Sequence, residues 1–165
     1  VKNIENAIIA FKSFLERIDN KDLKFIIAGK GRYEEKLKKL VYSIGMDKNV
    51  IFLGFVSDEE KKDLLNRSYA LIMPAINEPF GLTVIEALYS SCISIISKYS
   101  GVYEAAKDCS INCDMNSVND ISNAIYEVYI NNNSIKRKLL SNNILSIFKV
   151  DSYCLSLLEY IENHL

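Results

Sequence analysis

Strand-like and helix-like hydrophobic patterns alternate along this chain, and this alternation constrains its fold more than any other feature. Short apolar runs at residues 23–28, 50–53, 70–73, 93–96 and 111–113 predict buried strands. Between them, apolar residues recur at helical spacing. Alternating strands and helices form βαβ units, in which helices cover both faces of a parallel sheet. We therefore predict an α/β fold, a three-layer Rossmann-like domain with a parallel sheet flanked by helices.

Local signals place several element ends. Ser57 followed by Glu60 forms a capping box that opens a helix, and Gly45 is the natural end of the helix before it. The asparagine run at 131–133 predicts a loop between two helices, and Tyr153 and Leu157 belong to a last helical stripe. Because the chain opens on a helix where doubly wound domains open on a strand, we expect a strand upstream of residue 1.

Composition excludes several classes of protein and site. The 165 residues are 49% hydrophobic and carry a net charge of −1, which argues against a disordered chain and against a nucleic-acid partner. No apolar run approaches the roughly 18 residues of a membrane span, and no signal peptide opens the chain. The four cysteines form no Cys-x-x-Cys pair, and His164 is the one histidine, so we expect reduced thiols and no metal site.

Ligands of open parallel sheets bind beyond the carboxyl ends of the strands. Residues 29–31, 54–58, 74–82 and 97–101 meet there in the predicted fold. The most informative of these segments carries Glu78 in a loop before a helix and Glu86 in the second turn of that helix. Gly81 and Leu82 begin the helix, where backbone N–H groups are free to bind an anion. The loop can thus offer carboxylates to sugar hydroxyls and amides to a phosphate; the alternative is that Glu78 caps the helix and Glu86 is a solvated surface residue.

These residues resemble a known family. Glu78 and Glu86, eight positions apart with Pro-Phe-Gly after the first, match the E-x7-E motif of retaining glycosyltransferases of the GT-B fold, group 1 family. Lys2-Asn3, the Gly-Lys-Gly end of the 23–28 strand and the Val-Ile-Phe-Leu-Gly-Phe-Val segment at 50–56 resemble further motifs of that family. The motifs extend over residues 1–108.

The resemblance implies a role for each matching residue. Lys2 corresponds to the lysine that binds the diphosphate, and Val56, Asp58 and Lys61 lie beside the nucleoside, Lys61 near the base or phosphates. Glu78, the candidate catalytic residue, contacts the donor sugar, and Glu86 binds the ribose hydroxyls. The sugar and phosphates also meet backbone amides of the helix start, contributed by Phe80, Gly81, Leu82 and Thr83.

The resemblance also implies the reaction and its partners. A sugar moves with retention from a nucleotide-diphosphate sugar, the donor substrate, to an acceptor glycan, lipid or small molecule. No cofactor and no essential metal are implied, and the sequence contains no Asp-x-Asp motif. We expect residues 1–165 to be one half of a GT-B fold, a fragment lacking its first strand and the N-terminal domain that binds the acceptor, and therefore inactive in isolation.

Some positions depart from the family pattern. Ser91 and Ile93 stand where the family has glycine and proline, Ser100-Gly101 replaces a Gly-Gly turn, and Asp108-Cys109 replaces Asp-Gly. Two alternatives therefore stay open: a non-catalytic nucleotide-sugar-binding module, and a nucleotide-sugar epimerase on the same fold. We expect a cytoplasmic location, at the membrane face if the longer protein makes a peripheral contact there.

Overall fold

The computed structural model describes residues 2–107 and 109–141, and over them strands and helices alternate as predicted. The strands are β1 (Phe25–Ala28), β2 (Val50–Gly54), β3 (Ala70–Ile72), β4 (Ile93–Ser97) and β5 (Ser110–Cys113). The helices are α1 (Ile4–Glu16), α2 (Glu34–Ser43), α3 (Asp58–Arg67), α4 (Leu82–Tyr89), α5 (Tyr103–Ala106) and α6 (Val118–Ser141). The bounds of each observed strand differ from those of the predicted strand by one or two residues.

The strands pair in parallel, as predicted, but they form two sheets instead of one continuous sheet. β1 pairs with β2, and β4 lies between β3 and β5. No pairing joins β1 to β3 among the described residues. Within each sheet the strands run parallel, so the loops that follow them share one edge of that sheet, and the ion pair of Lys61 with Glu86 joins the segment after β2 to the segment after β3.

Helices cover both faces of this arrangement. Ile93 and Ile95 of β4 belong to a core that α1 and α6 share, with Phe14 among its largest buried side chains. Ile96, which points to the opposite face, packs in a second core with Val84 of α4. Since β4 is buried along its whole length, the result is the three-layer α/β architecture that the sequence pattern predicts.

Two local predictions have clear outcomes. The capping box is present: Ser57 accepts from the N–H of Glu60, and Glu60 accepts from the N–H of Ser57. The predicted loop at 131–133 is wrong, because α6 continues through it to Ser141. The side chain of Asn132 donates to the carbonyl oxygen of Tyr69 at 3.1 Å. This tertiary contact stabilises α6 at a residue that has a low helix propensity. The Tyr153 stripe lies outside the described residues.

Candidate functional site

The predicted site residues lie at the carboxyl edge of the strands, and two ion pairs organise them. Lys2, just before α1, donates its Nζ to Oε2 of Glu78 at 2.9 Å. Lys61, in the second turn of α3, donates to Oε1 of Glu86 at 2.9 Å and to Oδ1 of Asp58 at 3.0 Å. The predicted lysines and carboxylates are thus brought together in two groups, although up to 76 residues separate the partners.

The first pair depends on how the start of α1 is anchored. Asn3 is the N-cap of α1 in a left-handed conformation, and its amide donates to the carbonyl oxygen of Met115 after β5. This bond ties the beginning of the chain to the carboxyl edge. The Lys2 side chain is 71% exposed and the Glu78 side chain only 17%, so the lysine retains N–H donors directed at solvent while the carboxylate is held from one side.

The second pair leaves one carboxylate oxygen without a donor. Oε1 of Glu86 accepts from Lys61, whereas Oε2 is buried and has no hydrogen-bond partner among the described residues. The Glu86 side chain as a whole is 42% exposed, so Oε2 is a buried atom of a side chain that otherwise reaches solvent. Hydrogen bonds to Glu86 first and to Asp58 second raise the pKa of Lys61, which keeps it cationic at neutral pH.

Glu78 does not cap α4, and that alternative is wrong. The N-cap is Gly81, in a left-handed conformation with φ of 63°, and no side chain caps the helix. A Cβ on Gly81 would lie 2.6 Å from Cγ1 of Val102, so both the backbone angle and the close packing require glycine. The amides of Leu82 and Thr83, in the first turn, have no carbonyl within the helix to bond.

The remaining predicted residues surround this helix start. Val56, between β2 and α3, is half-buried, as is Thr83. The side chains of Phe80 and Leu82 are 60% and 61% exposed, so the backbone of these residues is what the site can use. Lys2, Val56, Lys61 and Thr83 border the mouth of a large cavity that continues between the two sheets.

Sequence reasoning did not assign a site role to Gly101, which supports the Glu78 loop from behind. Its N–H donates to the carbonyl oxygen of Glu78 at 2.6 Å. A Cβ at this position would lie 1.8 Å from the carbonyl oxygen of Pro79, so any side chain would push the loop away. The sequence feature that could have indicated this role is the position of Gly101 in the polar turn after β4, at the same edge of the sheet as Glu78.

The described part of the chain contains neither a group of metal-binding side chains nor a helix that could span a membrane. The histidines, cysteines, aspartates and glutamates there form no group of three or more that could hold a metal ion. None of the helices there is both long and apolar enough to cross a membrane. Cys92 and Cys109 are buried, Cys113 is half-buried, and Cys154 lies outside the described residues.

Solved structures confirm the fold. The structure of HepE from Anabaena in complex with UDP-glucose superimposes with a TM-score of 0.78 at 20% identity, covering 98% of this chain and 45% of that one. The C-terminal domain of a glycosyl transferase group 1 family protein from Francisella tularensis gives 0.70 at 23% identity, covering 88% and 77%. The architecture is therefore the Rossmann-like C-terminal half of a GT-B fold.

Sequence comparisons show the family. An uncharacterized glycosyltransferase of Methanocaldococcus jannaschii is 34% identical over 106 residues, which cover 64% of this chain and 26% of the relative. The chain spans about a quarter of the length of the first curated relatives that it matches. The family model described as glycosyl transferases group 1 matches residues 1–145. This chain belongs to the glycosyl transferases group 1 family.

Proposed function

We propose that this chain is the donor-binding domain of a retaining glycosyltransferase, which moves a sugar from a nucleotide-diphosphate sugar to an acceptor glycan, lipid or small molecule. The observation that carries the proposal is the convergence of Lys2–Glu78 and Lys61–Glu86 on the two sides of the α4 start. Cations, free amides and carboxylates at one sheet edge match the diphosphate, the sugar and the ribose of such a donor.

The diphosphate lies, in this proposal, against Lys2 and the first turn of α4. Lys2 is mostly exposed and holds Glu78 through one donor, so its other N–H groups can reach an anion. The amides of Leu82 and Thr83 and the positive end of the helix dipole add to this attraction. Negative charge on the diphosphate grows as the sugar leaves, so these groups stabilise the transition state more than the bound donor.

Glu78 contacts the donor sugar. Its carboxylate is held by Lys2 on one side and its backbone by Gly101, so the group is oriented before the substrate arrives. A carboxylate accepts charge-assisted hydrogen bonds from sugar hydroxyls and favours the positive charge that develops on the ring. No protein base is needed if an oxygen of the leaving phosphate accepts the proton of the acceptor hydroxyl, and this proposal assigns that role to the phosphate.

Glu86 binds the ribose. Its unpartnered Oε2 is a buried acceptor, which costs free energy until a donor arrives. A ribose hydroxyl supplies such a donor, while Lys61 holds the carboxylate in place through Oε1. In this proposal Val56, which lines the cavity, and Asp58, the first residue of α3, lie beside the nucleoside, and Lys61 reaches toward the base or phosphates.

Calorimetry with UDP, GDP and ADP tests the nucleotide assignment. Glu86→Ala should weaken binding of whichever nucleotide binds by roughly 10- to 100-fold, since a hydrogen bond to a charged group contributes about 1.5–3 kcal/mol. Glu127→Ala, which removes an exposed carboxylate from α6, is the matched control and should leave affinity unchanged. Equal affinity of the wild type and Glu86→Ala would contradict the assignment.

Turnover by the longer protein separates the transferase from the alternatives. Glu78→Gln should lower kcat by about 100-fold or more while nucleotide affinity barely changes, because the lost contact acts on the sugar in the transition state. Glu127→Ala again serves as the control. A longer protein that binds nucleotide sugars without transferring them would indicate a binding module, and conversion of the donor sugar without transfer would indicate an epimerase.

A further inference from the structure

Lys30 is a cation of the carboxyl edge that neither ion pair of the site uses. It stands between Gly29 and Gly31 in the loop after β1, and it lines the same cavity as Val56 and Lys61. Lys30 is exposed, and it forms no hydrogen bond or ion pair with any residue that the structure describes. Because an ammonium group has three N–H donors and no acceptor, Lys30 is available to a ligand that brings an acceptor.

The Lys30 side chain lies against the end of β2. The N–H of Gly29 donates to the carbonyl oxygen of Gly54 at 2.6 Å, which joins the loop after β1 to that strand. The stem of Lys30 passes over Gly54, since a Cβ built on this glycine would lie 3.4 Å from Cε and 4.0 Å from Cγ of the lysine. Nζ is one bond beyond Cε, so the cation is held beside the residues that follow β2, Phe55 and Val56.

The other cations at this edge have partners of their own. The guanidinium carbon of Arg32, in the same loop, lies 5.0 Å from the centroid of the Tyr33 ring at the start of α2. The lysines of the two ion pairs are bound to Glu78 and Glu86. Lys30 therefore adds a separate donor at the ends of β1 and β2.

We propose that Lys30 selects the base of the nucleotide by donating to O4 of uracil or O6 of guanine, so that donors with these keto bases are favoured over adenosine and cytidine donors. The inference rests on the proposed function, which places Val56 beside the nucleoside. The keto oxygens are acceptors, whereas adenine and cytosine carry amino groups, which are donors, at the corresponding positions. A lysine that meets such an amino group leaves two donors without an acceptor, which costs free energy.

The surroundings of Lys30 suit the edge of a base better than a phosphate. The two residues after β2 are apolar, and Phe55, which lines the same cavity, is 79% exposed. An exposed aromatic ring offers a stacking surface that every base can use, so stacking gives affinity without selection. The phosphates have other partners in the proposed function, Lys2 and the amides at the start of α4. Selection among bases then requires a polar group at the edge of the ring, and Lys30 supplies a donor there.

Calorimetry of the longer protein with UDP, GDP, ADP and CDP tests the proposal. The wild type should bind UDP or GDP more tightly than ADP and CDP. Lys30→Met removes the charge with little change in side-chain length, and it should weaken binding of the preferred nucleotide about tenfold, while the affinities for ADP and CDP change by less than about twofold. Lys39→Met, which removes an exposed lysine of α2 outside the cavity, is the matched control and should leave all four affinities unchanged.

The pattern of the losses separates the roles that Lys30 can have. Equal weakening of all four nucleotides by Lys30→Met would show that Lys30 acts on the phosphates or on the fold, and it would overturn the proposal while leaving the proposed function intact. A wild type that prefers ADP or CDP would overturn it in the same way. Absence of binding by all four nucleotides would refute the proposed function and this inference with it.

The thio analogue of the preferred nucleotide, 4-thio-UDP or 6-thio-GDP, tests the contact at the level of one atom. Sulfur accepts a hydrogen bond more weakly than oxygen, so the wild type should bind the analogue several-fold more weakly than the parent nucleotide. Lys30→Met should bind the two alike, since the donor is gone. If the ratio of the two affinities is the same in the wild type and in Lys30→Met, Lys30 does not contact the keto oxygen and the proposal is wrong.

Discussion

Gly101→Ala is the substitution for which the structure makes the sharpest prediction. The backbone of Gly101 lies outside the left-handed region, so alanine is conformationally acceptable and the effect comes from contact alone. The new Cβ would lie 1.8 Å from the carbonyl oxygen of Pro79, and ordinary contact begins at 3.4 Å. The Glu78 loop must therefore retreat by about 1.6 Å, in the manner of an overpacked core.

The displacement has two expected costs. Overpacking of this kind costs about 1–3 kcal/mol of folding free energy. At about 2–4 °C per kcal/mol for a domain of this size, the melting temperature should fall by roughly 2–12 °C. Because Glu78 moves with the loop, kcat of the longer protein should fall by about 100-fold, as misplacement by 1 Å does. Nucleotide affinity should change little, since Glu86 lies on α4 behind the loop.

Calorimetric or fluorescence melting of the 165-residue chain measures the stability effect. Gly31→Ala is the matched control, because a Cβ there meets nothing within 4 Å and the backbone angle is not left-handed. That variant should melt within about 1 °C of the wild type. If Gly101→Ala melts like Gly31→Ala and retains kcat, the contact between the two loops does not position Glu78 and the reasoning fails.

Four further predictions concern the rest of the domain. Ser91→Gly should stabilise the chain by about 0.5–1 kcal/mol, because Ser91 has a left-handed φ of 52°, while Ser91→Ala should show no such gain in denaturant unfolding. Ser57→Ala should lower the free energy of unfolding by about 1 kcal/mol, because the helix cap is lost. The N–H of Ser57 lowers the pKa of Glu60, so the stabilisation from Glu60 should be present at neutral pH and should disappear as the pH falls through that lowered pKa. Burial raises the pKa of the Cys113 thiol from 9.0 to about 11. Iodoacetamide at pH 8 should therefore alkylate Cys113 about 100-fold more slowly than an ordinary cysteine, and mass spectrometry of the modified peptide measures this rate. The 165-residue chain should bind nucleotide sugars weakly and transfer none to acceptors, and transfer by this chain alone would show that the proposed second domain is not needed.

The left-handed Ser91 explains how the chain departs from its family without losing the turn. The motif resemblance leads us to expect glycine at this position, and Ser91 has a glycine-like backbone angle there. A serine at this position therefore carries the conformational cost of a left-handed backbone angle, which a glycine would not carry. Sequence comparison alone identifies the substitution but not this outcome, because the conformation is imposed by the packing of α4 and β4 on either side.

Much of the candidate site was predictable from local sequence. The spacing of Glu78 and Glu86, the glycine before α4 and the capping box at Ser57 are local signals, because each one involves only residues that are close together along the chain. What the sequence could not supply was the pairing of these groups: Lys2 with Glu78, Lys61 with Glu86, and Gly101 behind Pro79. Each of these contacts joins segments that are separated along the chain, so it exists only once the helices and strands have packed together.

The sequence by itself determined the α/β class, the element order and the residues that meet at the carboxyl edge, because hydrophobic period and helix caps act over a few residues. The tertiary structure decided the rest. It continued α6 through residues 131–133, where the side chain of Asn132 donates to the carbonyl oxygen of Tyr69. Helix ends of this kind depend on contacts between distant segments, whose free energy outweighs the local preference of an asparagine.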